Sequence, residues 1–317
     1  MRHKYKSTRI RVALRLIVGL TAILFILSIT NALDAEDVTS HKKRFWNAEP
    51  VECGDELKHG YYKLTEDLQC YGDEKNPAIL ITGPAKLNLN GYTLSGKKGI
   101  ENDELPVCIQ IEGSGARVWN GFVKNCVDGI LIDKGESNII IKVEAYNNYE
   151  RGFKIKKGNK NLLFNCLARN NGRQGFIITK GDKNRISHSK AIANCRDGIE
   201  IEEGSENHIS HNLVKDNGNE DTCNDFDEKY KPWYYAGIDV LSDSHNNEIK
   251  HNRAGCNLGC VGSDDFPCAA HERDFWDENV VIENDKVICV STNEWDNNSI
   301  KCNNVEPECS PNPDPND

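Results

Sequence analysis

The sequence predicts an all-β fold, a right-handed parallel β-helix with about 23 residues per coil and disulfide-rich caps. Three columns of repeated residues support this prediction. Glycine recurs every 23 residues and is each time followed by Ile or Phe, at Gly129, Gly152, Gly175 and Gly198. Asparagine keeps the same spacing in two further columns: Asn125, Asn148, Asn171, Asn194 and Asn217, and Asn138, Asn161, Asn184 and Asn207. Three columns in one register indicate a solenoid of stacked coils.

Each repeated glycine begins a short stretch in which aliphatic and polar residues alternate, as in Gly-Phe-Lys-Ile-Lys from Gly152. Such alternation is typical of a β-strand with one buried face. Two or three strands fill a coil and leave no room for a helix. Strands of successive coils then pair about 4.8 Å apart, and stacked asparagines can bind the backbone of the turns. We expect the recurring glycine to adopt a turn conformation that a Cβ atom would disfavour.

The repeat resembles the parallel β-helix repeat family, which includes NosD-like periplasmic and surface proteins. Repeats of that family read Gly-Ile-x-Ile followed by Asn-x-Ile-x-x-Asn, and the stretch 87–96 is similar to its opening coil. The resemblance covers about residues 50–300. It implies the fold, whereas the function stays open, because secreted carbohydrate-active enzymes and adhesins share this solenoid.

The order of segments predicts a secreted protein. A basic stretch precedes the apolar run 16–29, and Ala32 and Ala35 offer cleavage points, so we expect a signal peptide over residues 1–35. An uncleaved signal anchor from near Val12 is the alternative. We then expect an N-terminal cap at 36–75 and a β-helix at 76–300 with an insertion at 218–236. An acidic, proline-rich tail at 301–317 is expected to be disordered.

Charge and cysteine content agree with an extracellular location. The net charge of −10 becomes −15 once residues 1–35, with six basic residues and Asp34, are removed. This acidity argues against nucleic acid and anionic lipid as partners, so no membrane association is expected after signal cleavage. All 13 cysteines follow the signal segment, which is typical of an oxidising compartment. The sequon at Asn297 is a candidate glycan site, and the oligomeric state stays open.

The cysteines support one pairing and exclude another. Cys53 and Cys70 are expected to bridge within the N-terminal cap. Cys126 and Cys195 share a column three coils apart, roughly 14 Å by strand spacing, which is too far for a disulfide. We therefore expect both to be thiols in the core or the turns.

The insertion is the first candidate for a binding site. Gly198 and the matching Gly237 are 39 residues apart, which adds 16 residues to the coil between them. Trp233, Tyr234 and Tyr235 could stack on sugar rings, whereas Asp225 and Asp227 could bind Ca²⁺ together with Glu202. The alternative is an acidic loop whose aromatic residues pack on the coil.

A column of outward-facing residues is the candidate catalytic site. Glu200 and Asp239 are expected on neighbouring coils, roughly 5 Å apart. Such a pair could act as acid and nucleophile in glycoside hydrolysis. The pair could also hold Ca²⁺ that acidifies a uronate C5 proton. Lys154 or Arg173 would then be the base, and Arg173 is also a candidate substrate-binding residue. The alternative is a solvated face of Lys–Glu ladders.

Histidines form a further column at His188, His211 and His251. Stacked imidazoles could bind a transition metal. Lys142 and Asn165 fill the same column in earlier coils, so the column could require only a polar residue.

We therefore expect a secreted protein that binds, and could process, an extracellular polysaccharide. As an enzyme it would be a polysaccharide lyase, an epimerase or a glycoside hydrolase. The pair Asp264-Asp265 is similar to one in polygalacturonase-type hydrolases, but their Gly-His-Gly and Arg-Ile-Lys sequences are absent here. The alternative is a non-catalytic cell-wall, matrix or adhesion solenoid that binds Ca²⁺ or protein.

Overall fold

The computed structural model describes residues 48–73, 75–97, 105–218, 236–255, 257–259, 271–272, 275–277, 280–283, 286–289 and 293–300. The predicted signal segment, most of the insertion and the C-terminal tail lie outside these ranges. The strands belong to one unit, Glu49–Asp317. Within the described ranges no helix is long and apolar enough to cross a membrane.

Nine strands, one per coil, form a parallel sheet that we call the nine-stranded sheet. Its strands are β2 (Asp55–Leu57), β5 (Ile79–Ile81), β8 (Ile109–Ile111), β10 (Ile130–Ile132), β12 (Phe153–Ile155), β15 (Phe176–Ile178), β18 (Ile199–Ser205), β21 (Ile238–His245) and β26 (Phe275–Asp277).

The remaining parallel strands form a 17-stranded sheet that covers two further faces of the solenoid. These strands are β1 (Glu49–Pro50), β3 (Tyr61–Lys63), β4 (Leu68–Tyr71), β6 (Lys86–Asn88), β7 (Thr93–Lys97), β9 (Arg117–Lys124), β11 (Ile139–Tyr146), β13 (Leu162–Phe164), β14 (Leu167–Arg169), β16 (Arg185–Ser187), β17 (Lys190–Ile192), β19 (His208–Ser210), β20 (Leu213–Lys215), β22 (Glu248–Lys250), β23 (Arg253–Gly255), β29 (Glu294–Asp296) and β30 (Ser299–Ile300).

Two short antiparallel pairs stand outside the solenoid sheets. They join β24 (Leu258–Gly259) to β25 (His271–Glu272), and β27 (Val280–Glu283) to β28 (Lys286–Cys289). At the N-terminal end, β1 to β4 already pair in parallel with the strands of the following coils.

The strand register follows the 23-residue spacing of the sequence. Phe153 pairs with Phe176, and Phe176 pairs with Ile199, each 23 residues further on. The side chains of these residues point into the core and are at most 1% exposed. The rings of Phe153 and Phe176 stack with centroids 4.9 Å apart, as expected when equivalent side chains of adjacent coils lie directly above one another. The prediction of a parallel β-helix is therefore confirmed.

Buried asparagines form ladders along the turns, as the sequence predicts. The Oδ1 atom of Asn184 accepts hydrogen bonds from both the backbone N–H and the Nδ2 atom of Asn161, at 3.0 Å each. The Nδ2 atom of Asn184 donates to the carbonyl of Gly158 at 2.8 Å. Because these side chains satisfy backbone groups that cannot reach water, the ladders allow the turns to be buried.

The ladders differ from the predicted columns in two respects. Asn125 is exposed and lies outside the ladder, because Lys124 pairs with Tyr146 only 22 residues later and places Cys126 at the ladder position. A third ladder joins Ser189, Asn212, Asn252 and Asn298. The sequence pattern missed it because its first position holds serine rather than asparagine.

The expected turn conformation of the glycine column is wrong. Gly129, Gly152, Gly175 and Gly198 are not among the residues with positive φ. A Cβ atom on Gly175 would lie 2.8 Å from the carbonyl oxygen of Gly198 and 2.8 Å from Nδ2 of Asn194. Glycine is therefore required here by the close approach of the next coil.

The disulfides confirm one expectation and correct another. Cys53 is bonded to Cys70, as predicted. Cys126 is not a thiol but is bonded to Cys108, and Cys195 is disulfide-bonded as well. The repeat spacing compared only residues of one column, whereas Cys108 lies outside the column of Cys126. Among the described residues Cys166 is a free, buried thiol whose pKa burial raises to about 12.

Candidate functional site

The outward-facing residues in the middle of the nine-stranded sheet form one column with a single residue per coil. In coil order they are Glu56, Leu80, Gln110, Leu131, Lys154, Ile177, Glu200 and Asp239. They alternate with core residues such as Ile199 and Ile201, which are 0% exposed. The column is therefore charged at Glu56, apolar or amide in the next three coils, and charged again at Lys154, Glu200 and Asp239, with Ile177 between Lys154 and Glu200.

Glu200 and Asp239 lie side by side in this column. They are register partners in β18 and β21, so their Cα atoms are separated by about one strand spacing, ~4.8 Å. Glu200 is only 6% exposed and Asp239 only 4%. These two carboxyl groups thus lie outside the hydrophobic core and yet away from water.

Two residues that the sequence analysis did not single out complete a cluster with this pair, which we call the carboxyl cluster (Asp197, Glu200 and Asp239, with Gln174). The side chains of Asp197 and Glu200 are hydrogen-bonded to each other. The Nε2 atom of Gln174 donates to Oε2 of Glu200 at 2.6 Å. Asp197 is 3% exposed and Gln174 4%, so the cluster is closed to bulk water.

Burial and mutual repulsion keep a proton in the carboxyl cluster near neutral pH. Burial, followed by the charge of Asp239, raises the pKa of Asp197 from 3.8 to about 7. Burial also raises the pKa of Glu200 well above its ordinary value, helped by the charge of Asp197 and the hydrogen bond to it. Because neighbouring carboxylates cannot all ionise at low cost, the hydrogen-bonded pair of Asp197 and Glu200 retains a proton.

Asp197 also has a structural role. Its Oδ1 atom accepts the backbone N–H of Ala236 at 2.6 Å, at the residue where the described chain resumes after the insertion. Asp128, three coils earlier in the same column, accepts the N–H of Arg151 at 3.2 Å in the same way. Asp128 and Asp197 are therefore buried in part because each carboxyl group binds the backbone of the next coil.

Lys154 does not reach the carboxyl cluster. It lies two coils before Glu200, about 10 Å away by strand spacing, and the buried side chain of Ile177 lies between them. Burial, followed by the charge of Arg151, lowers the pKa of Lys154.

Arg173 belongs to a separate ion-pair network. Its Nη2 atom lies 3.1 Å from Oε1 of Glu150, which also contacts Arg151. Arg151 in turn lies 3.5 Å from Asp128. The structure thus brings the predicted acids together and holds the predicted bases apart from them.

An open groove lies at the end of β18, the strand that carries Glu200. Its volume is about 700 Å³, and it is lined by Gly135, Glu136, Lys157, Gly158, Asn159, Lys180, Gly181, Asp182, Glu203, Gly204, Ser205 and Asp243. A Cβ atom on Gly181 would lie 2.0 Å from the carbonyl oxygen of Gly158, so the stacking of the coils requires a glycine floor. On the wall, Lys180 and Glu203 form an ion pair at 2.6 Å.

The predicted Ca²⁺ ligands are only partly described. Glu202 lies in β18 at a register shift, where two residues of β21 face one of β18. Asp225 and Asp227 lie outside the described residues, as do the predicted sugar-binding residues Trp233, Tyr234 and Tyr235. Within the part of the chain that the structure describes, no three His, Cys, Asp or Glu side chains converge on one metal position.

The sequence contained a signal for the residues that were missed. Asp128, Arg151, Gln174 and Asp197 form a polar column at the same 23-residue spacing, directly before the glycine column. Such a column was visible in the sequence, but its burial was not, since residues next to a turn are usually exposed. Chemically, the carboxyl cluster offers an ionised acceptor next to a protonated donor, which is the requirement for general acid–base chemistry.

A family model, described as a right-handed beta helix region, matches residues 78–260. This is more than half of the chain, which therefore belongs to the right-handed β-helix family. No curated protein matches the sequence.

Solved structures similar to the chain are also β-helices of low sequence identity. The enzymatically active domain of tailspike protein 2 of bacteriophage CBA120 has a TM-score of 0.51 and 12% identity, over 80% of this chain and 38% of that one. An alginate lyase from Paenibacillus sp. has a TM-score of 0.42 and 15% identity, over 68% and 77%. A periplasmic alginate epimerase has a TM-score of 0.41 and 14% identity, over 80% and 77%. At these identities the likeness concerns the fold alone.

Proposed function

We propose that this chain is a secreted protein that binds an extracellular polysaccharide and processes it by proton transfer at Asp197, Glu200 and Asp239. The observation that carries the proposal is the burial of three adjacent carboxyl groups outside the core, which raises the pKa values of Asp197 and Glu200. Burying several acids together costs stability, and titratable groups with strongly shifted pKa values are concentrated at functional sites.

The groove at the end of β18 supports the binding part of the proposal. It is open to solvent, about 700 Å³ in volume, and lined by glycines and by charged residues such as Lys180, Asp182 and Glu203. A glycan chain in this groove would run along the solenoid and approach β18 from the side of Glu203. The reaction would be a lyase, epimerase or glycosidase reaction, because each uses a carboxyl pair with one protonated member or a base near neutral pH.

Secretion is part of the same proposal. The two described disulfides, Cys53–Cys70 and Cys108–Cys126, form in oxidising compartments. Asn297, the asparagine of the sequon, is exposed and so is sterically available to a glycan. Ca²⁺ at Asp225, Asp227 and Glu202 is proposed as a cofactor of glycan binding.

Burial of the carboxyl cluster favours a second candidate function. Exposed fractions of 4–6% at Glu200 and Asp239 admit a proton but no pyranose ring. In this second candidate the protein is a non-catalytic cell-wall, matrix or adhesion solenoid, and the cluster only joins adjacent coils.

A glycan array probed with the purified protein, with and without Ca²⁺, tests binding. Bound glycans are then incubated with wild type, Glu200→Gln and Asp239→Asn, and the products are followed by mass spectrometry. We expect binding to survive both substitutions and turnover to fall by about 100-fold or more, because general acid–base groups contribute 10²–10⁴-fold.

Glu56→Gln is the matched control, since Glu56 lies in the same column six coils before Glu200 and is exposed. It should leave binding and turnover unchanged. A protein that binds no glycan in either condition contradicts the whole proposal. Bound glycan without any turnover by wild type contradicts the catalytic part and leaves the second candidate.

A further inference from the structure

The histidine column lies on a different face from the carboxyl cluster. His188, His211 and His251 each directly follow a strand of the 17-stranded sheet, namely β16, β19 and β22. All three side chains are exposed. Their column continues with Asn165 one coil before and Asn297 after.

The backbone fixes the position of each histidine. The three residues have φ values of 54°, 59° and 57°, in the left-handed region. The N–H of His188 donates to Ser210 at 3.2 Å, and the N–H of His211 donates to Lys250 at 3.2 Å. Because the backbone of consecutive coils is hydrogen-bonded at this point, the imidazoles emerge in register and lie one above the next.

Two of the rings are stacked, and the third is tilted against them. The centroids of His188 and His211 are 4.9 Å apart with the ring planes at 6°. The centroids of His211 and His251 are also 4.9 Å apart, at 44°. Asparagine, which adopts the left-handed region readily, occurs at this position in the flanking coils, so the backbone does not demand histidine.

We propose that His211, together with His188 or His251, binds a divalent transition-metal ion through imidazole nitrogens. A metal–nitrogen bond is about 2.0–2.1 Å long, so two nitrogens on one ion are at most about 4.2 Å apart. Because the nitrogen lone pairs lie in the ring plane, the parallel rings of His188 and His211 cannot bind one ion as they stand. Their exposed side chains must first turn to other rotamers in which one nitrogen of each ring points at the ion.

The donor set defines the class of metal. Imidazole suits copper, nickel and zinc, and affinity for divalent ions peaks at Cu²⁺. Within the described residues no group of three His, Cys, Asp or Glu side chains could hold one ion, so two imidazoles would bind the ion and water would complete the coordination. A two-nitrogen site with water ligands fits the tetragonal geometry of Cu²⁺, and the bound ion would join adjacent coils.

Cu²⁺ titration of the purified protein at pH 7.5, with electron paramagnetic resonance to count the nitrogen ligands, tests the proposal. Wild type should bind one Cu²⁺ at the column through two imidazole nitrogens. His211→Asn removes the residue common to both pairs and should weaken this binding at least ~10-fold. Asparagine is native to the column, and circular dichroism checks that the variant is folded.

The remaining variants define the pair. Of His188→Asn and His251→Asn, the variant that removes a ligand should lose Cu²⁺ binding. The double variant His188→Asn/His251→Asn should have the same low Cu²⁺ affinity as His211→Asn. His59→Asn, an exposed histidine outside the column, is the control and should bind as wild type does. Unchanged affinity and nitrogen count in His211→Asn, or in the double variant, would overturn the proposal.

Discussion

Asp197 has an environment that differs strongly from that of an ordinary surface carboxylate. It is 3% exposed and hydrogen-bonded to Glu200, and the negative charge of Asp239 raises its pKa. The folded state therefore keeps this group protonated up to about pH 7, whereas the unfolded chain ionises it near its ordinary value, about pH 4.

This difference makes stability depend on pH with a definite sign. Below about pH 4 the group is protonated in both states, so burial carries no electrostatic penalty. As pH rises from about 4 to about 7, the unfolded state releases the proton first, and the free energy of unfolding falls. A shift of about three pKa units corresponds to a loss of at most roughly 4 kcal/mol.

Asp197→Asn should remove the part of the decrease in unfolding free energy that Asp197 causes between pH 4 and pH 7. We expect the variant to lose less stability than wild type between pH 4 and pH 7, measured by urea unfolding at several pH values. Glu66→Gln, which removes an exposed carboxyl in a distant coil, should keep the wild-type slope. If the free energy of unfolding changes with pH equally in wild type and Asp197→Asn, Asp197 ionises at its ordinary pKa and the prediction is wrong.

The asparagine ladder is the clearest case of an element predicted from sequence. Asn194 is fully buried, and its Oδ1 atom accepts the backbone N–H of Asn171 at 3.2 Å and the Nδ2 atom of Asn171 at 2.8 Å. Its Nδ2 atom donates to Ala168 and to Asn217. The side chain of Asn194 thus forms hydrogen bonds with residues of the preceding coil and of the following coil.

Asn194→Ala should destabilise the protein by roughly 3 kcal/mol, because each buried polar group left unpaired costs about 1–3 kcal/mol. Chemical denaturation measures the change. Asn170→Ala is the matched control, since Asn170 is exposed and the equivalent position one coil later is already Ala193 at φ 53°. Equal losses in the two variants would contradict a ladder role for Asn194.

The sequence predicted strands, ladders and the Glu200–Asp239 pairing for one physical reason. A fixed repeat converts spacing along the chain into contact between coils, so columns can be identified without coordinates. Contacts between residues of different columns, and the distances between coils, could not be predicted in this way. The Cys108–Cys126 bond joins residues of different columns, and the role of Gly175 depends on its distance from the next coil.

At the scale of the whole molecule, the solenoid has one elongated core, a single cluster of buried side chains that runs from Val51 to Ala254. Each coil contacts only its neighbours, so stability is a sum of local terms and their interfaces. The Cys108–Cys126 bond, which closes an 18-residue separation, stabilises the coils near the N-terminal end. The carboxyl cluster lies in later coils, beyond the immediate neighbours of this bond.

The double variant Cys108→Ser/Cys126→Ser should lose about 3 kcal/mol, the value typical of a loop of this length. Hydrogen exchange should accelerate in β5 to β11 and stay unchanged in β19 to β22, because the coupling passes only between adjacent coils. Uniform acceleration along the chain would show instead that the solenoid unfolds as one cooperative unit.

The most direct test of the account is a nuclear magnetic resonance titration of ¹³C-labelled carboxyl groups in the folded protein. We predict that the Asp197 carboxyl titrates near pH 7, that Glu200 also titrates well above its ordinary value, and that Asp239→Asn lowers the pKa of Asp197. If both groups titrate near pH 4 and do not respond to Asp239→Asn, the three acids share no proton and the proposed site has no chemical basis.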